Sequence, residues 1–168
     1  EGTEEFLNLM NEFGVNIYSG GGETADVGDI VRTIDVGITA FARISRADVI
    51  PISIKPGAVI VGLSSSGQTL YETEYNSGIG SNGLTAARHD VLTKKYLTQF
   101  PESCAPETPD EVKYTGKYNL LDAYVCNGVQ HEVGKLLLSP TRTYLPFLVK
   151  LIAEHRKNLQ GIIHCTGG

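Results

Sequence analysis

Glycine-rich turns that carry hydroxyl side chains constrain the fold of this chain more than any other feature. Three stretches have this character: SGGGET at 19–24, SSSG at 64–67 with GIGSNG at 78–83, and HCTGG at 164–168. Glycines leave backbone N–H groups unhindered, and turns of this kind bind anions, of which a phosphate is the natural candidate. Turns of this composition are also common as purely structural elements, so each turn alone leaves both interpretations open.

Short apolar runs adjoin these turns and predict strands that lead the chain into them. They lie at 15–19, 58–63 and 161–165, and the β-branched stretch 30–45 predicts one long strand or two. Apolar residues at helical spacing predict helices over 3–13, over 82–97, and from about 143–145 with Pro146 in the first turn. The stretch 98–135 is rich in proline and predicts local structure without a clear element.

Composition narrows the class of protein. With 168 residues, of which 41% are hydrophobic and 20% charged, the chain can bury a core. A formal net charge of −5 argues against a general nucleic-acid binder, which needs clustered Lys and Arg. No apolar run approaches the ~20 residues of a membrane span, and Cys104, Cys126 and Cys165 form no CxxC pair. We therefore expect reduced thiols in a cytoplasmic protein that binds neither nucleic acid nor membrane.

Side chains beside the turns are candidates for binding a phosphate ligand and its metal. Glu23 and Asp26 follow the first turn and are candidate Mg²⁺ ligands, because magnesium bridges carboxylates to phosphate oxygens. Arg142 is a candidate phosphate clamp, because its planar fork suits bidentate contacts. The alternatives stay open: the two acids as solvated surface groups, and Arg142 as a surface ion-pair partner. Among the histidines, His164 is the one best placed for a site.

Taken together, the turns resemble the motifs of one family. Five stretches occur in that family's order: GGETAD (21–26), GLSSSG (62–67), GSNGLTAAR (80–88), LLSPTRTY (137–144) and HCTGG (164–168). They resemble aminoimidazole ribonucleotide synthetase, also called phosphoribosylformylglycinamidine cyclo-ligase, whose signatures read approximately GGETAEMPG, GSSGxHSNGYSLVR, LLxPTRIY and HxTGGG. Related families usually have another residue in place of Glu23 and lack the PTR stretch, so both features favour the cyclo-ligase.

The resemblance implies an α+β fold of mixed sheets with flanking helices, on the two-half ATP-binding scaffold of this family. Residues 1–54 would be the end of the N-terminal ATP-binding half, and 55–168 the start of the C-terminal half. The chain would then be the middle portion of a longer enzyme. In the family, strands of the first half build a barrel shared by a homodimer, and ATP lies in a cleft near that interface.

The activity that the resemblance implies is an ATP-dependent ligase reaction of purine biosynthesis. ATP phosphorylates the formyl amide oxygen of formylglycinamidine ribonucleotide, the amidine nitrogen attacks the activated carbon, the imidazole ring closes and phosphate leaves. ATP and Mg²⁺ would be the cofactors, a phosphoribosyl compound the small-molecule substrate, and Glu23 and His164 the catalytic residues. The residues expected to bind nucleotide or phosphate are Gly21, Gly22, Thr24, Asp26, Ser65, Ser66, Gly67, Ser81, Asn82, Gly83, Thr141, Arg142, Thr166 and Gly167.

The chain departs from the family pattern, which marks it as a divergent branch. Gly80 stands where the family has a histidine, Asp26 replaces a glutamate, and QTLYETEYNSGI (68–79) replaces a much shorter segment. Two alternatives therefore stay open: another ATP-dependent enzyme on the same scaffold, such as a small-molecule kinase or synthetase, and a non-catalytic module that binds a nucleotide or a partner. Because the family's upstream aspartate motifs have no counterpart here, we expect this 168-residue chain not to turn over by itself.

Overall fold

The computed structural model describes residues 1–29, 31 and 34–165, and all structural statements refer to these. Helices dominate, and one hairpin supplies the two strands of this part of the chain. In chain order the elements are α1 (Gly2–Glu12), α2 (Gly80–Val91), α3 (Lys95–Gln99), β1 (Ala123–Cys126), β2 (Val129–Glu132), α4 (Val133–Leu137) and α5 (Leu145–His155). Short 3₁₀ turns lie at Arg46–Asp48, Pro101–Ser103, Asp110–Val112 and Arg156–Asn158.

The chain divides into two compact units. The first unit consists of the described residues of 1–26, 35–62 and 143–168, and the second of those of 27–34 and 63–142. Helices α1 and α5 belong to the first unit, whereas α2 to α4 and the hairpin belong to the second. The coarse prediction of an α+β chain is confirmed. The family's two-half scaffold and its boundary between residues 54 and 55 stay predictions.

Helix α1 confirms the helix predicted over 3–13. It buries Leu7 and Met10, and Met10 is fully inaccessible to solvent. Glu4 and Glu5 lie in its first turn, where carboxylates interact favourably with the positive end of the helix dipole. The chain leaves the helix at Gly14, whose φ of 81° is a conformation that glycine adopts without strain. Helix α5 likewise begins as predicted, with Pro146 in its first turn.

The second unit is built around a small buried cluster. Its buried members are Leu92, Tyr96, Cys104, Tyr114, Val133 and Leu137. The helix predicted over 82–97 is present as α2 and α3, interrupted where Leu92 takes an extended conformation. This interruption lets Thr93 N–H donate to the carbonyl of Tyr118 at 3.0 Å, so the segment after the helix packs against its end.

The hairpin lies within 98–135, where the sequence predicted no clear element. Strands β1 and β2 are antiparallel, and Cys126 pairs with Val129 across a two-residue turn. Asn127 and Gly128 form this turn with φ values of 51° and 79°, a conformation that Asn-Gly accepts more readily than other pairs. The Asn-Gly pair was the local signal that the sequence interpretation missed.

Within the residues that the structure describes, the strands predicted in four stretches are not formed. These stretches are 15–19, 30–45, 58–63 and 161–165. The prediction of these strands was wrong here, because an apolar run becomes a strand only when a neighbouring segment completes its hydrogen bonds. Val59, Ile60 and Val61 are instead 85%, 96% and 77% exposed. Ile30, Arg32 and Thr33, also in that prediction, lie outside the described residues.

Over the described ranges, no helix combines the length and the apolarity that crossing a membrane requires.

Candidate functional site

The second motif forms a tight turn at 64–67, here called the serine turn. The Ser66 N–H donates to Ser64 Oγ at 3.2 Å, and the two hydroxyls lie 3.2 Å apart. Gly67, with a φ of 105°, ends the turn, and its N–H donates to the carbonyl of Asn76 at 3.0 Å. The Ser66 and Gly67 N–H groups are bonded within the protein, whereas Ser64, Ser65 and Ser66 are exposed and carry the hydroxyls of this turn.

Arg142, from the fourth motif, is buried against the serine turn. Its Nη1 donates to the carbonyls of Ser64 and Ser66 at 2.8 and 3.1 Å. Its Nε and Nη2 donate to the two carboxylate oxygens of Glu72 at 2.8 and 2.7 Å. The Arg142 side chain is only 5% exposed and that of Glu72 14%. Arg142 is therefore an ion-pair partner, as one of the two interpretations of the sequence proposed, but the pair is buried and not at the surface. The same guanidinium also binds the serine turn. The role of Arg142 as a phosphate clamp stays a prediction.

Glu72 takes part in further contacts that the sequence did not indicate. Its Oε2 accepts a hydrogen bond from the Thr69 N–H at 2.7 Å. Burial alone would raise the pKa of Glu72, but the hydrogen bonds from Arg142 and Thr69 and the Arg142 charge outweigh burial and hold this pKa below its ordinary value. Glu72 is thus ionised at neutral pH, which matches its place opposite a guanidinium. No periodicity or motif distinguishes this glutamate within 68–79.

Asn76 connects the serine turn to the fourth motif. It is 3% exposed, its amide Nδ2 donates to the carbonyl of Pro140 at 2.9 Å, and its Oδ1 accepts from the Gly78 N–H at 2.9 Å. Its backbone pairs with Gly67 as an isolated antiparallel bridge. Asn76 therefore connects three loop segments, through its side-chain amide and its backbone together, and the sequence interpretation missed this residue too.

The third motif begins helix α2 beside the fourth. Thr141 Oγ1 accepts the Ser81 N–H at 2.9 Å, and its hydroxyl donates to Ser81 Oγ at 3.3 Å. A threonine from a distant part of the chain thus supplies the helix cap that Ile79 cannot. Asn82 and Gly83 lie in the first turn of α2, at the positive end of its dipole. Ser65 of the serine turn lies close to Gly78, two residues before helix α2, because a Cβ added to Gly78 would lie 3.0 Å from Ser65 Oγ.

The second, third and fourth motifs therefore meet in the second unit, although up to 78 residues separate contacting partners. The predicted site residues that come together there are Ser65, Ser66, Gly67, Ser81, Asn82, Gly83, Thr141 and Arg142. Except for Gly67, Gly83 and Arg142, these residues are exposed. Hydroxyl groups, a glycine-lined surface and a helix N-terminus at one place suit the binding of an anion.

The first motif belongs to the first unit and forms an exposed loop. Gly21 has a φ of 107°, and its N–H donates to Ser19 Oγ at 3.3 Å. The other predicted residues of this loop are exposed: Gly22, Glu23, Thr24 and Asp26. His164, also of the first unit, is exposed. Thr166 and Gly167 lie outside the described residues.

The magnesium prediction rests on Glu23 and Asp26. Within the residues that the structure describes, no group of three or more His, Cys, Asp or Glu side chains is arranged to hold a metal ion. Magnesium is commonly held by one or two carboxylates together with phosphate oxygens and waters. The two acids suit such a shared site but do not form one by themselves, so the metal stays a prediction.

Curated proteins of similar sequence test the resemblance that the five motifs indicate. No protein-family model matches the chain. The phosphoribosylformylglycinamidine cyclo-ligase of Methanocaldococcus jannaschii is 31% identical over 154 residues, which cover 91% of this chain and 34% of the relative. That of Pyrococcus horikoshii is 32% identical over 149 residues, covering 88% and 33%. That of Methanococcus maripaludis is 28% identical over 162 residues, covering 95% and 35%. The chain spans about a third of the length of these curated relatives.

The class of protein to which the motifs and these relatives point is a ring-closing ligase. Phosphoribosylformylglycinamidine cyclo-ligase is the particular protein to which the chain is similar, and the similarity extends over about nine-tenths of it. The family resemblance read from five short motifs is thereby confirmed.

Proposed function

We propose that this chain contributes to a phosphoribosylformylglycinamidine cyclo-ligase, which closes the imidazole ring of a purine precursor at the expense of ATP. The observation that carries the proposal is the meeting of the second, third and fourth motifs around Arg142 and Thr141. Separate motifs that meet in space are expected to serve one site. The similarity to curated cyclo-ligases over most of the chain supports the same conclusion.

The protein's part in such a reaction is to position phosphate groups and the substrate amide. Phosphoryl transfer depends mainly on positioning and on stabilisation of charge by preorganised donors. We propose that the hydroxyls of Ser65, Ser66 and Ser81 donate to phosphate oxygens, assisted by the positive end of helix α2, while Thr141 orients the Ser81 hydroxyl. Glycine at 78 suits this arrangement, because its φ is 81° and a Cβ there would crowd Ser65 and Ser66 at 3.0–3.2 Å.

The exposed loop of the first motif is proposed to supply the charged groups. Glu23 would orient the substrate amide or a metal, and Asp26 would take part in holding magnesium. When bound, magnesium would neutralise charge on the transferred phosphoryl group. His164 is proposed as a second catalytic residue, and a homodimer in the cytoplasm as the state of the complete protein.

The proposal is tested with the full-length protein, ATP and formylglycinamidine ribonucleotide. We expect ADP and the aromatic amine product to form in equal amounts, and to depend on both substrates. ADP release only with other acceptors would overturn the proposal in favour of another ATP-dependent enzyme on the same scaffold, which Gly80 in place of the family's histidine would favour. Nucleotide binding without any turnover would overturn it in favour of a non-catalytic module.

A further inference from the structure

We propose that Glu72 is a positioning residue, which acts through Arg142 to hold the serine turn in the conformation that its ligand requires. The proposal rests on the proposed function for the nature of that ligand, a phosphate group. Its geometric part, the dependence of the turn on Glu72, stands on the contacts alone.

The contacts form a relay from the carboxylate to the turn. Both oxygens of Glu72 are taken up by Nε and Nη2 of Arg142, which leaves Nη1 directed at the carbonyls of Ser64 and Ser66. A guanidinium is planar and rigid, so fixing one edge of the fork fixes the direction of the other. The carboxylate thereby influences where two carbonyls of the serine turn lie, although it bonds to Arg142, Thr69 and Asn76 and not to those carbonyls.

The relay depends on charge as well as shape. Arg142 is buried, and a buried guanidinium without its carboxylate is strongly unfavourable. Removal of the Glu72 charge therefore favours a rearrangement in which Arg142 reaches solvent and releases the two carbonyls. The hydroxyls of Ser65 and Ser66 would then lose the backbone geometry that orients them, and small displacements of positioning groups are costly to phosphoryl transfer.

The chain offers a matched control for this glutamate. Glu74 lies two residues further along the same segment and pairs with Lys135, but its side chain is 57% exposed. Exposed ion pairs contribute little to stability. Glu74→Gln therefore makes the same chemical change in the same loop without touching the relay.

The first measurement is amide hydrogen exchange over 62–68 in the full-length protein, a segment that leaves out the Thr69 N–H because Glu72 accepts from it directly. This exchange reports local opening whatever reaction the enzyme catalyses. We expect Glu72→Gln to speed exchange in this segment at least about tenfold, and Glu74→Gln to leave it as in the wild type. Should Glu72→Gln fail to fold, Arg142→Lys replaces it; a lysine keeps the charge but cannot hold the carboxylate and both carbonyls at once. Exchange in Glu72→Gln, or in that substitute, equal to that of Glu74→Gln would overturn the proposal.

The second measurement is steady-state kinetics with the cyclo-ligase substrates, well below the melting temperature of each variant. We expect Glu72→Gln to lower kcat/KM about 10- to 100-fold and Glu74→Gln to leave it unchanged. Because the relay passes from Glu72 through Arg142, the losses should be clearly less than additive in the double variant Glu72→Gln/Arg142→Lys. Additive losses would overturn the relay, and so would faster exchange with unchanged kcat/KM. A wild-type protein without cyclo-ligase activity would refute the proposed function instead, and the exchange data alone would then decide this inference.

Discussion

At the scale of single residues, Gly80 shows how a departure from the family pattern has a local cause. Its φ is 64°, and a Cβ at this position would lie 3.3 Å from Thr141 Oγ1. An L side chain adopts this conformation only with strain, and here it would also crowd the hydroxyl that caps α2. The histidine found at this point in the family therefore does not fit the backbone of this chain as it stands.

Glu23 is the residue for which function and fold are most easily separated. It lies in an exposed loop, so Glu23→Gln should change the free energy of unfolding by less than about 1 kcal/mol. If the loop borders the phosphates or the substrate amide, turnover of the complete enzyme should fall about tenfold to a thousandfold, or roughly 1.4–4 kcal/mol of barrier. Steady-state kinetics and a thermal melt of this variant check both parts. Wild-type turnover would show that Glu23 is a solvated surface acid.

His89 makes the stability of the second unit depend on pH. Burial lowers the pKa of His89, and the nearby charges of Arg88 and Lys113 lower it further, although Asp90 opposes them. Its Nδ1 accepts the Tyr114 N–H at 3.3 Å, which a protonated ring cannot do. The unfolded chain therefore binds the proton more readily, and stability should decrease as the pH falls through about 6.5, the ordinary pKa of histidine.

The measurement is the melting temperature of the protein between about pH 5.5 and 7.5. We expect it to decrease toward acid in the wild type, and this slope to be much smaller in His89→Asn. His155→Gln, which alters an exposed histidine at the end of α5, is the control and should keep the slope. An equal slope in the wild type and His89→Asn would assign the pH dependence to other groups.

At the scale of elements, the end of α2 depends on close backbone contact with 114–118. Gly116 N–H donates to the carbonyl of Leu92 at 3.1 Å, and Tyr118 N–H to that of Val91 at 3.0 Å. A Cβ on Gly116 would lie 2.1 Å from the Val91 carbonyl carbon and oxygen, so the two segments would have to separate. This close approach of the two backbones explains why residue 116 is a glycine.

Gly116→Ala should therefore destabilise the protein by more than about 2 kcal/mol, beyond the usual cost of one added methyl group. Urea denaturation monitored by circular dichroism measures this change. Gly83→Ala is the matched control in the same unit, where the new Cβ would make an ordinary contact 3.4 Å from Ile79 Cγ2. Alanine raises helix propensity there, so this variant should be neutral or slightly stabilised. Equal unfolding midpoints for the two variants would contradict the close approach at Gly116.

At the scale of the whole molecule, large apolar side chains are exposed along the first unit. An apolar stretch within 35–54 contains Val36, Ile38 and Phe41, which are 73%, 76% and 92% exposed. Several large apolar side chains exposed along one stretch of chain favour an interaction site over a solvated face. The resemblance implies that strands of the first half, which here would end at residue 54, build the homodimer, and we expect this apolar stretch to be covered in the complete protein.

Phe41→Lys should then weaken self-association of the full-length protein by at least about tenfold, because a charge in an apolar interface is costly. Sedimentation velocity over a range of concentrations measures the effect. Leu70→Lys is the control, since Leu70 is 99% exposed in the second unit and lies outside this stretch. A monomeric wild type, or equal weakening by both variants, would contradict the predicted role of the apolar stretch.

By itself, the sequence determined the features that depend on neighbours a few residues away. The apolar spacing of Phe6 and Met10, and the proline at 146, predicted helices α1 and α5, because helical hydrogen bonds and caps act within about four residues. Short motifs also identified the family. Only the tertiary structure decided that Glu72 and Asn76 belong to the site, because their partners lie 70 and 64 residues away. It also decided that the apolar runs 58–63 and 161–165 are not paired, since a strand is completed by hydrogen bonds to a distant segment, and no local pattern contains that partner.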